Sequence, residues 1–277
     1  MPGAARIRRF ASFFRGSDTY PGGMRNVPLS EVDALPRAVL AISTDYPPDH
    51  FLPSHRHRRA QFLYGATGAM RVGTADGTWT VPTRRAVLIP PETDHSVVMM
   101  NVTTRSLYLE PSAVPWFPRR CQTVDVSPLL RELLREAVDV APEYPRRGRD
   151  ATLISLLLHE ISRCVPLPLE LPWPRHEGLR ALCQSFSDAP DVHDPPSRWA
   201  AELHVSERTL HRLFRAETGL SFARWRERAC VLRALPLLAA DLPVADVAVT
   251  LGYESPAAFT TMFSRLLGAP PTAYREP

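Results

Sequence analysis

The feature that most constrains this chain is an internal repeat near its C-terminal end. Residues 206–226 read SERTLHRLFRAETGLSFARWR, and residues 255–275 read SPAAFTTMFSRLLGAPPTAYR, at an offset of 49 throughout. Each copy begins with a serine suited to cap a helix and continues with apolar residues three and four positions apart. Each then reaches a glycine of the kind that follows a helix. The pattern therefore predicts one supersecondary unit that occurs twice.

A shorter helix is predicted before each serine, over residues 198–203 and 244–251. Helix, short turn, helix is typical of a helix-turn-helix, whose second helix lies in the major groove of DNA. Residues 221–240 are helical in pattern, and a helix of that length spans about 30 Å, close to the roughly 34 Å of one duplex turn. Both second helices could then lie on one side of a duplex.

The outward faces of the two second helices differ in chemistry. In the first helix this face carries arginines and a histidine, which suit guanine edges or phosphates, whereas in the second it is small and uncharged. For one helix alone, a solvated charged face is the alternative interpretation. The candidate DNA-binding residues are Ser206, Arg208, Thr209, His211, Arg212 and Arg215 in the first copy, and Ala257, Thr260, Thr261 and Ser264 in the second.

The charge balance predicts unequal roles for the two units. Residues 198–235 contain eight arginines and four glutamates, whereas residues 236–277 contain two arginines and four acidic residues. Affinity for a polyanion comes mostly from neutralised phosphates, and discrimination comes from groups that meet base edges. We therefore expect the first unit to read bases and the second mainly to hold the DNA backbone.

The N-terminal half has a different pattern, of short β-branched and apolar runs separated by turn residues. These runs predict a β-sandwich or barrel over residues 36–126, with a hairpin turn at Ala75-Asp76-Gly77. Residues 127–164 predict two amphipathic helices that cover the sheet or pair with a second subunit. The whole is thus an α+β chain, with a flexible extension over residues 1–35, a stiff proline-rich linker over residues 165–175 and an all-α domain over residues 176–277.

Histidines cluster in two segments of the predicted β-domain. His55 and His57 stand two apart on an expected strand, so both would face one side, with Gln61 after them and His95 on another strand. Imidazoles at this spacing suit a shared divalent metal such as zinc, nickel or iron. Equally, His55, His57, Gln61 and His95 could line a ligand pocket without metal.

Two family resemblances rest on these motifs. The C-terminal hundred residues resemble AraC/XylS-type transcription regulators, and the N-terminal β-region resembles a cupin. Three departures are Pro236, which should kink or break the helix between the two units, Gln61 in place of the usual glutamate, and Glu92 where a glycine is common. The matching C-terminal residues are Ala200, Ala201, Leu203, Val205, Ser206, Leu210, Leu213, Phe214, Gly219, Leu220, Ser221, Val247, Ala248, Leu251, Gly252, Tyr253, Ser255, Phe259, Phe263, Gly268, Pro271, Tyr274 and Arg275.

The resemblance implies a bacterial DNA-binding regulator that responds to a small molecule bound in a cupin-like domain. Its implied partners are double-stranded promoter DNA, a small-molecule effector, a second copy of the chain and RNA polymerase. One alternative is a metal-dependent cupin enzyme with a DNA-binding tail, but Gln61 removes an anionic ligand and a possible acid or base. Another is a structural nucleoid binder, against which the distinct sensor-like domain counts. We therefore expect no enzyme activity.

Composition adds weaker constraints. The formal net charge of +4 only slightly favours an anionic partner. The four cysteines lack a CxxC pair, so neither a zinc knuckle nor a disulfide framework is indicated. No apolar stretch reaches membrane-spanning length, so we expect a soluble, cytoplasmic protein with no membrane partner.

Overall fold

The computed structural model describes residues 24–47 and 49–275. Most of the predicted flexible extension, residues 1–23, lies outside the described residues. Its remainder is ordered: strand β1 (Met24–Arg25) pairs parallel with strand β2 (Val39–Asp45), and a short helix α1 (Leu29–Val32) follows β1. The prediction of a flexible extension is therefore wrong for residues 24–35. The Met24 side chain is only 1% exposed and packs in a small apolar cluster on β2.

Two β-sheets form the N-terminal half and pack face to face around an apolar interior. One sheet has six strands in the order β1-β2-β9-β4-β7-β10, and the other has five in the order β11-β6-β5-β8-β3. The predicted α+β class with an N-terminal β-sandwich is confirmed. The remaining strands are β3 (His50–His55), β4 (Ala60–Gly65), β5 (Ala69–Gly73), β6 (Gly77–Val81), β7 (Arg85–Ile89), β8 (His95–Met100), β9 (Thr103–Leu109), β10 (Gln122–Asp125) and β11 (Glu170–Pro172).

Two helices cover the outer face of the six-stranded sheet. They are α2 (Pro128–Ala137), capped by Ser127, and α3 (Arg149–Ser162), which begins after Gly148. Their leucines pack on alternate residues of the sheet, so strand β4 is buried on both faces. Not every leucine of the predicted apolar faces is covered, since Leu129 and Leu156 remain exposed.

The C-terminal half contains six helices around one apolar core. The repeat predicted from sequence is confirmed at both ends of its second helix. Ser206 and Ser255 each accept a hydrogen bond from the backbone N–H three residues on, and Gly219 and Gly268 both end the helix with φ of +73°. The helices are α4 (Glu177–Asp188), α5 (Pro196–Glu202), α6 (Glu207–Thr218), α7 (Phe222–Ala239), α8 (Val244–Thr250) and α9 (Pro256–Leu267).

Helix α7 joins the two units without the interruption expected at Pro236. The helix continues through Pro236 to Ala239, and the Pro236 carbonyl still accepts a hydrogen bond from the Ala240 N–H. Pro236 lies in the last turns of the helix, where the missing N–H costs one bond without ending the hydrogen-bonded ladder. Within the part of the chain that the structure describes, no helix combines the length and apolar composition needed to cross a bilayer.

The proline-rich segment between the two halves is paired along its length. We call residues 165–173 the strap. Its strand β11 pairs antiparallel with β6, while Leu169 and Leu171 are fully buried in the helical core. The Trp225 indole N–H donates to the Pro172 carbonyl at 2.9 Å. The strap therefore belongs to one sheet of the sandwich and to the helical core, which the prediction of a stiff spacer did not anticipate.

A pair of substitutions distinguishes a strap from a spacer. We expect Leu171→Ala to lower the free energy of unfolding by about 2–5 kcal/mol, because the side chain is 0% exposed and truncation leaves a cavity. The control Val165→Ala, at a position 65% exposed, should change it by less than about 0.5 kcal/mol. Urea denaturation of both variants measures this. Two equally small changes would contradict the account.

Candidate functional sites

The outward face of α6 carries the predicted cations. Arg208, His211, Arg212 and Arg215 are all exposed. None of the three arginines has an ion pair or a side-chain hydrogen bond to any described residue, and the His211 ring lies edge-on to Phe222 at 6.0 Å between centroids. Guanidinium groups held on a rigid helix without acidic partners are available to phosphates and guanine edges.

The other two predicted residues of the first unit sit at the start of α6. Ser206 caps the helix, since its hydroxyl oxygen accepts from the Thr209 N–H at 3.2 Å and its hydroxyl lies 3.0 Å from that of Thr209. The two hydroxyls thus satisfy each other and the helix terminus. Their local role is capping, and both remain beside the exposed face.

Helix α9 presents no available cation. Ala257 and Thr261 are exposed, Thr260 and Ser264 are half-buried, and the Thr261 hydroxyl donates to the Ala257 carbonyl at 2.9 Å. The arginine of this helix, Arg265, is bonded to Glu227 of α7 at 2.6 Å.

The structure sharpens the charge asymmetry seen in the sequence. Arg198, Arg226 and Arg228 are bonded to carboxylates or backbone carbonyls within the fold. Five arginines of the first unit remain exposed and have no partner in the described part of the chain, whereas both of the second unit are bonded to acidic residues. Sequence reasoning named three of the five; the other two, Arg224 and Arg233, lie on the exposed side of α7.

The histidine cluster forms at one end of the sandwich. His55 ends β3 and pairs in register with His95, which begins β8. His57 is not on a strand, as the spacing argument assumed, but in the connection to β4, which follows an irregular register in β3. The three rings are nevertheless close, with centroids 4.3 Å apart for His55 and His95, 5.2 Å for His57 and His95, and 6.2 Å for His55 and His57.

Backbone carbonyls orient all three imidazoles. The Nδ1 atoms of His55, His57 and His95 lie 2.9, 2.6 and 2.8 Å from the carbonyl oxygens of Pro53, Arg59 and Thr93. A carbonyl can only accept, so each Nδ1 carries a proton, and in a neutral imidazole Nε2 then keeps its lone pair. The Nε2 atom of His95 is buried and has no hydrogen-bond partner among the residues that the structure describes. In their neutral form these imidazoles present Nε2 as an acceptor.

Gln61 links the cluster to a tyrosine that the sequence did not single out. The amide nitrogen of Gln61 donates to Ser106 Oγ and to the Tyr108 hydroxyl, both at 3.2 Å. Its Oε1 lies 3.2 Å from His57 Nε2. With Nδ1 protonated, two acceptors would face each other, and the reversed amide orientation, which turns the Gln61 NH2 toward His57 Nε2, resolves this. Tyr108 pairs in register with Gln61, a relation visible only once β4 and β9 are aligned.

Burial favours the neutral form of the His57 and His95 imidazoles. Desolvation lowers the pKa of His95 to about 4 and lowers the pKa of His57 as well. Neutral imidazoles can accept hydrogen bonds or bind a metal through Nε2. The donor atoms suit a metal ion, yet in the described residues no group of three or more His, Cys, Asp or Glu side chains is arranged around one point as metal ligands are.

The loop before β8 explains one departure from the cupin pattern. Glu92 has φ of +56°, and its N–H donates to the His57 carbonyl at 2.9 Å. Glycine is favoured at such a φ because it has no Cβ. Glu92 thus adopts a conformation that costs a residue with a side chain about 1–2 kcal/mol.

We expect Glu92→Gly to raise the free energy of unfolding by about 1 kcal/mol relative to Glu92→Ala, since both lose the carboxylate and only glycine relieves the left-handed backbone. The carboxylate itself contributes little, because its ion pair with Arg56 is 3.9 Å long and exposed. Thermal unfolding of the two variants provides the comparison. An alanine variant as stable as the glycine variant would rule out strain at this position.

Comparison with known proteins matches both halves of the chain. The model of an AraC-like ligand binding domain matches residues 37–163, and that of a helix-turn-helix domain matches residues 199–277. The HTH-type transcriptional regulator NimR of Escherichia coli is 35% identical over 223 residues, covering 80% of this chain and 81% of NimR. The arabinose operon regulatory protein of Escherichia coli is 29% identical over 133 residues, covering 46% of each chain.

Among solved structures, ToxT from Vibrio cholerae O395 is similar over 86% of this chain and 96% of its own, at 9% sequence identity and a TM-score of 0.36. The two family models, taken with the NimR relationship over four fifths of both chains, agree with the paired helix-turn-helix units and the β-sandwich described above. The chain belongs to the AraC-type family of transcription regulators, with an N-terminal ligand binding domain and a C-terminal helix-turn-helix DNA-binding domain.

Proposed function

We propose that this regulator reads a discrete promoter site mainly through α6 and senses a small molecule at the histidine cluster. The observation that carries the DNA part is the distribution of partner-free arginines, five in the first unit and none in the second among the described residues. Helix α9 then contacts the DNA backbone through its hydroxyls and its N-terminal backbone N–H groups. Promoter binding also supports the predicted cytoplasmic location.

The DNA assignment predicts unequal effects at matching positions of the repeat. Arg212→Ala should cost about 1–3 kcal/mol of binding free energy if Arg212 meets a guanine, with relaxed preference at that one base pair. Thr261→Ala, 49 positions later, should cost less than about 1 kcal/mol, the value of one neutral hydrogen bond. Binding titrations at fixed salt, against the preferred site and its single-base variants, measure both.

A control variant removes an equal charge far from α6. Arg163→Ala alters an exposed arginine just after α3 and should leave DNA affinity nearly unchanged. If Thr261→Ala is the more damaging change, or if Arg212→Ala weakens binding to every sequence equally, base reading by α6 is wrong.

At the histidine cluster, the acceptor set points to an effector that carries hydrogen-bond donors. Burial favours neutral imidazoles at His57 and His95, and the buried His95 Nε2 lacks a donor among the described residues. Burial raises the pKa of Tyr108, so its hydroxyl stays protonated and can donate to an acceptor of the same ligand. Gln61 supplies an amide, which cannot transfer protons at neutral pH, so we propose binding without turnover.

A divalent metal is the second occupant that the unpaired His95 Nε2 favours. If zinc, nickel or iron is bound there, protein never exposed to chelator should carry near-stoichiometric metal and His57→Ala should lose it. Elemental analysis of both proteins decides the point. Trace metal in the unsubstituted protein would leave the organic effector as occupant. DNA affinity should persist in either case, because the cluster lies outside the helix-turn-helix units.

We also propose a homodimer through the outer face of α3. Leu156 is 41% exposed on this helix and Trp116 is 40% exposed, and both line a groove of about 960 Å³. Exposed large apolar side chains grouped on one surface are typical of protein interfaces. Contact with RNA polymerase stays a prediction.

We expect Leu156→Glu to convert a dimer to a monomer, because a charge at an apolar interface loses its water without gaining a partner. Leu129→Glu serves as the matched control, since Leu129 is similarly exposed but lies on α2. Sedimentation velocity at several concentrations measures the oligomeric state of both variants. A dimer that survives Leu156→Glu, or one that Leu129→Glu also breaks, would contradict the proposed face.

A further inference from the structure

A cleft of about 450 Å³ lies between the two halves of the molecule, beside the strap. The sandwich contributes Trp79 and Cys121, the chain before β10 contributes Arg119 and Arg120, and the helical half contributes Leu220 and Arg228. Its volume is within the range of small-molecule sites. The cleft is separate from the histidine cluster, none of whose three imidazoles lines it.

The cleft carries more unpaired positive than negative charge. Arg228 is paired with Glu170 of the strap at 3.3 Å. Arg119 and Arg120 are exposed, and neither has a partner among the residues the structure describes. One carboxylate without an ion pair, that of Asp76, also lines the cleft. Two adjacent guanidinium groups therefore outweigh one carboxylate, and such groups bind carboxylates through paired, charge-assisted hydrogen bonds.

The wall of the cleft is largely apolar. Trp79 lines it with only 7% of its surface exposed, and its indole Nε1 has no accessible surface, so ring carbons and not the N–H face the cleft. Pro90, Pro172 and Leu220 make the rest of this region apolar.

We propose that the cleft is a second ligand site, which binds a small organic acid with a flat apolar body. The body would lie against Trp79 and Leu220, and the carboxylate would accept hydrogen bonds from Arg119 and Arg120. Such a ligand touches both halves of the molecule, including Thr218 and Gly219 at the C-terminal end of α6. It also meets Thr93, whose carbonyl orients His95. An occupant of the cleft thus contacts the base-reading helix and the histidine loop together.

The test uses 2-naphthoate as the probe and its neutral amide, 2-naphthamide, as the ligand control. Isothermal titration of the full chain should show saturable binding of the acid and much weaker binding of the amide. The double variant Arg119→Ala/Arg120→Ala should lose at least about tenfold in affinity for the acid, because hydrogen bonds to charged groups are the stronger kind. Trp79→Phe, which keeps an aromatic but smaller wall for the apolar body, should weaken binding by a smaller factor.

The matched control is Arg84→Ala/Arg163→Ala, which removes the same charge from exposed positions away from the cleft. This variant should bind the acid as the unsubstituted protein does. No saturable binding of 2-naphthoate, equal binding of the amide, or equal losses in the two double variants would each overturn the proposal. DNA affinity without probe should be unchanged in the Arg119→Ala/Arg120→Ala variant. Failure of the proposed ligand site can therefore be distinguished from failure of the proposal that α6 reads bases.

Discussion

Strand pairing between the strap and β6, with two strap leucines buried in the helical core, is the constraint on which the arrangement of the molecule depends. Backbone hydrogen bonds fix the strap to the sandwich, while Leu169, Leu171 and the carbonyl bonded to Trp225 fix it to α7. Separating the halves would expose apolar surface and leave an indole N–H without its acceptor, and both changes are unfavourable. The sensing half and the DNA-binding half therefore move together unless the strap leaves one of them.

This connection gives the two functional regions a short physical route. Residues 90–95 carry Thr93, which orients His95, and the same loop lines the cleft that also includes Gly219 at the end of α6. Coupling between sites requires a ligand to interact differently with two arrangements of the molecule. The loop and the strap both line the cleft between the two halves, so a difference between two arrangements would be expressed there.

Much of the fold could be predicted because its signals are local. Serine caps, terminal glycines and apolar spacing set each helix-turn-helix within about 20 residues, and they recur at one offset. The strap could not be predicted, because its prolines indicate a linker and its pairing depends on β6, about 90 residues earlier in the chain. The prediction that His57 lies on a strand was also wrong, since β3 has an irregular register and ends at His55. Tyr108 and Arg119 were missed because their importance comes from neighbours that are distant in sequence.

The central claim is that α6 reads bases while α9 holds the DNA backbone. It is tested most directly by selecting bound duplexes from a random DNA pool and then mapping interference base by base. A regulator with two unequal helix-turn-helix units on one chain should enrich a single motif whose strongly specified bases lie in one major-groove segment. A weakly specified segment should lie about one turn, or roughly 10 base pairs, away. Recovery of duplexes with no common motif, or of a motif specified equally in both segments, would contradict the claim that α6 reads bases while α9 holds the backbone.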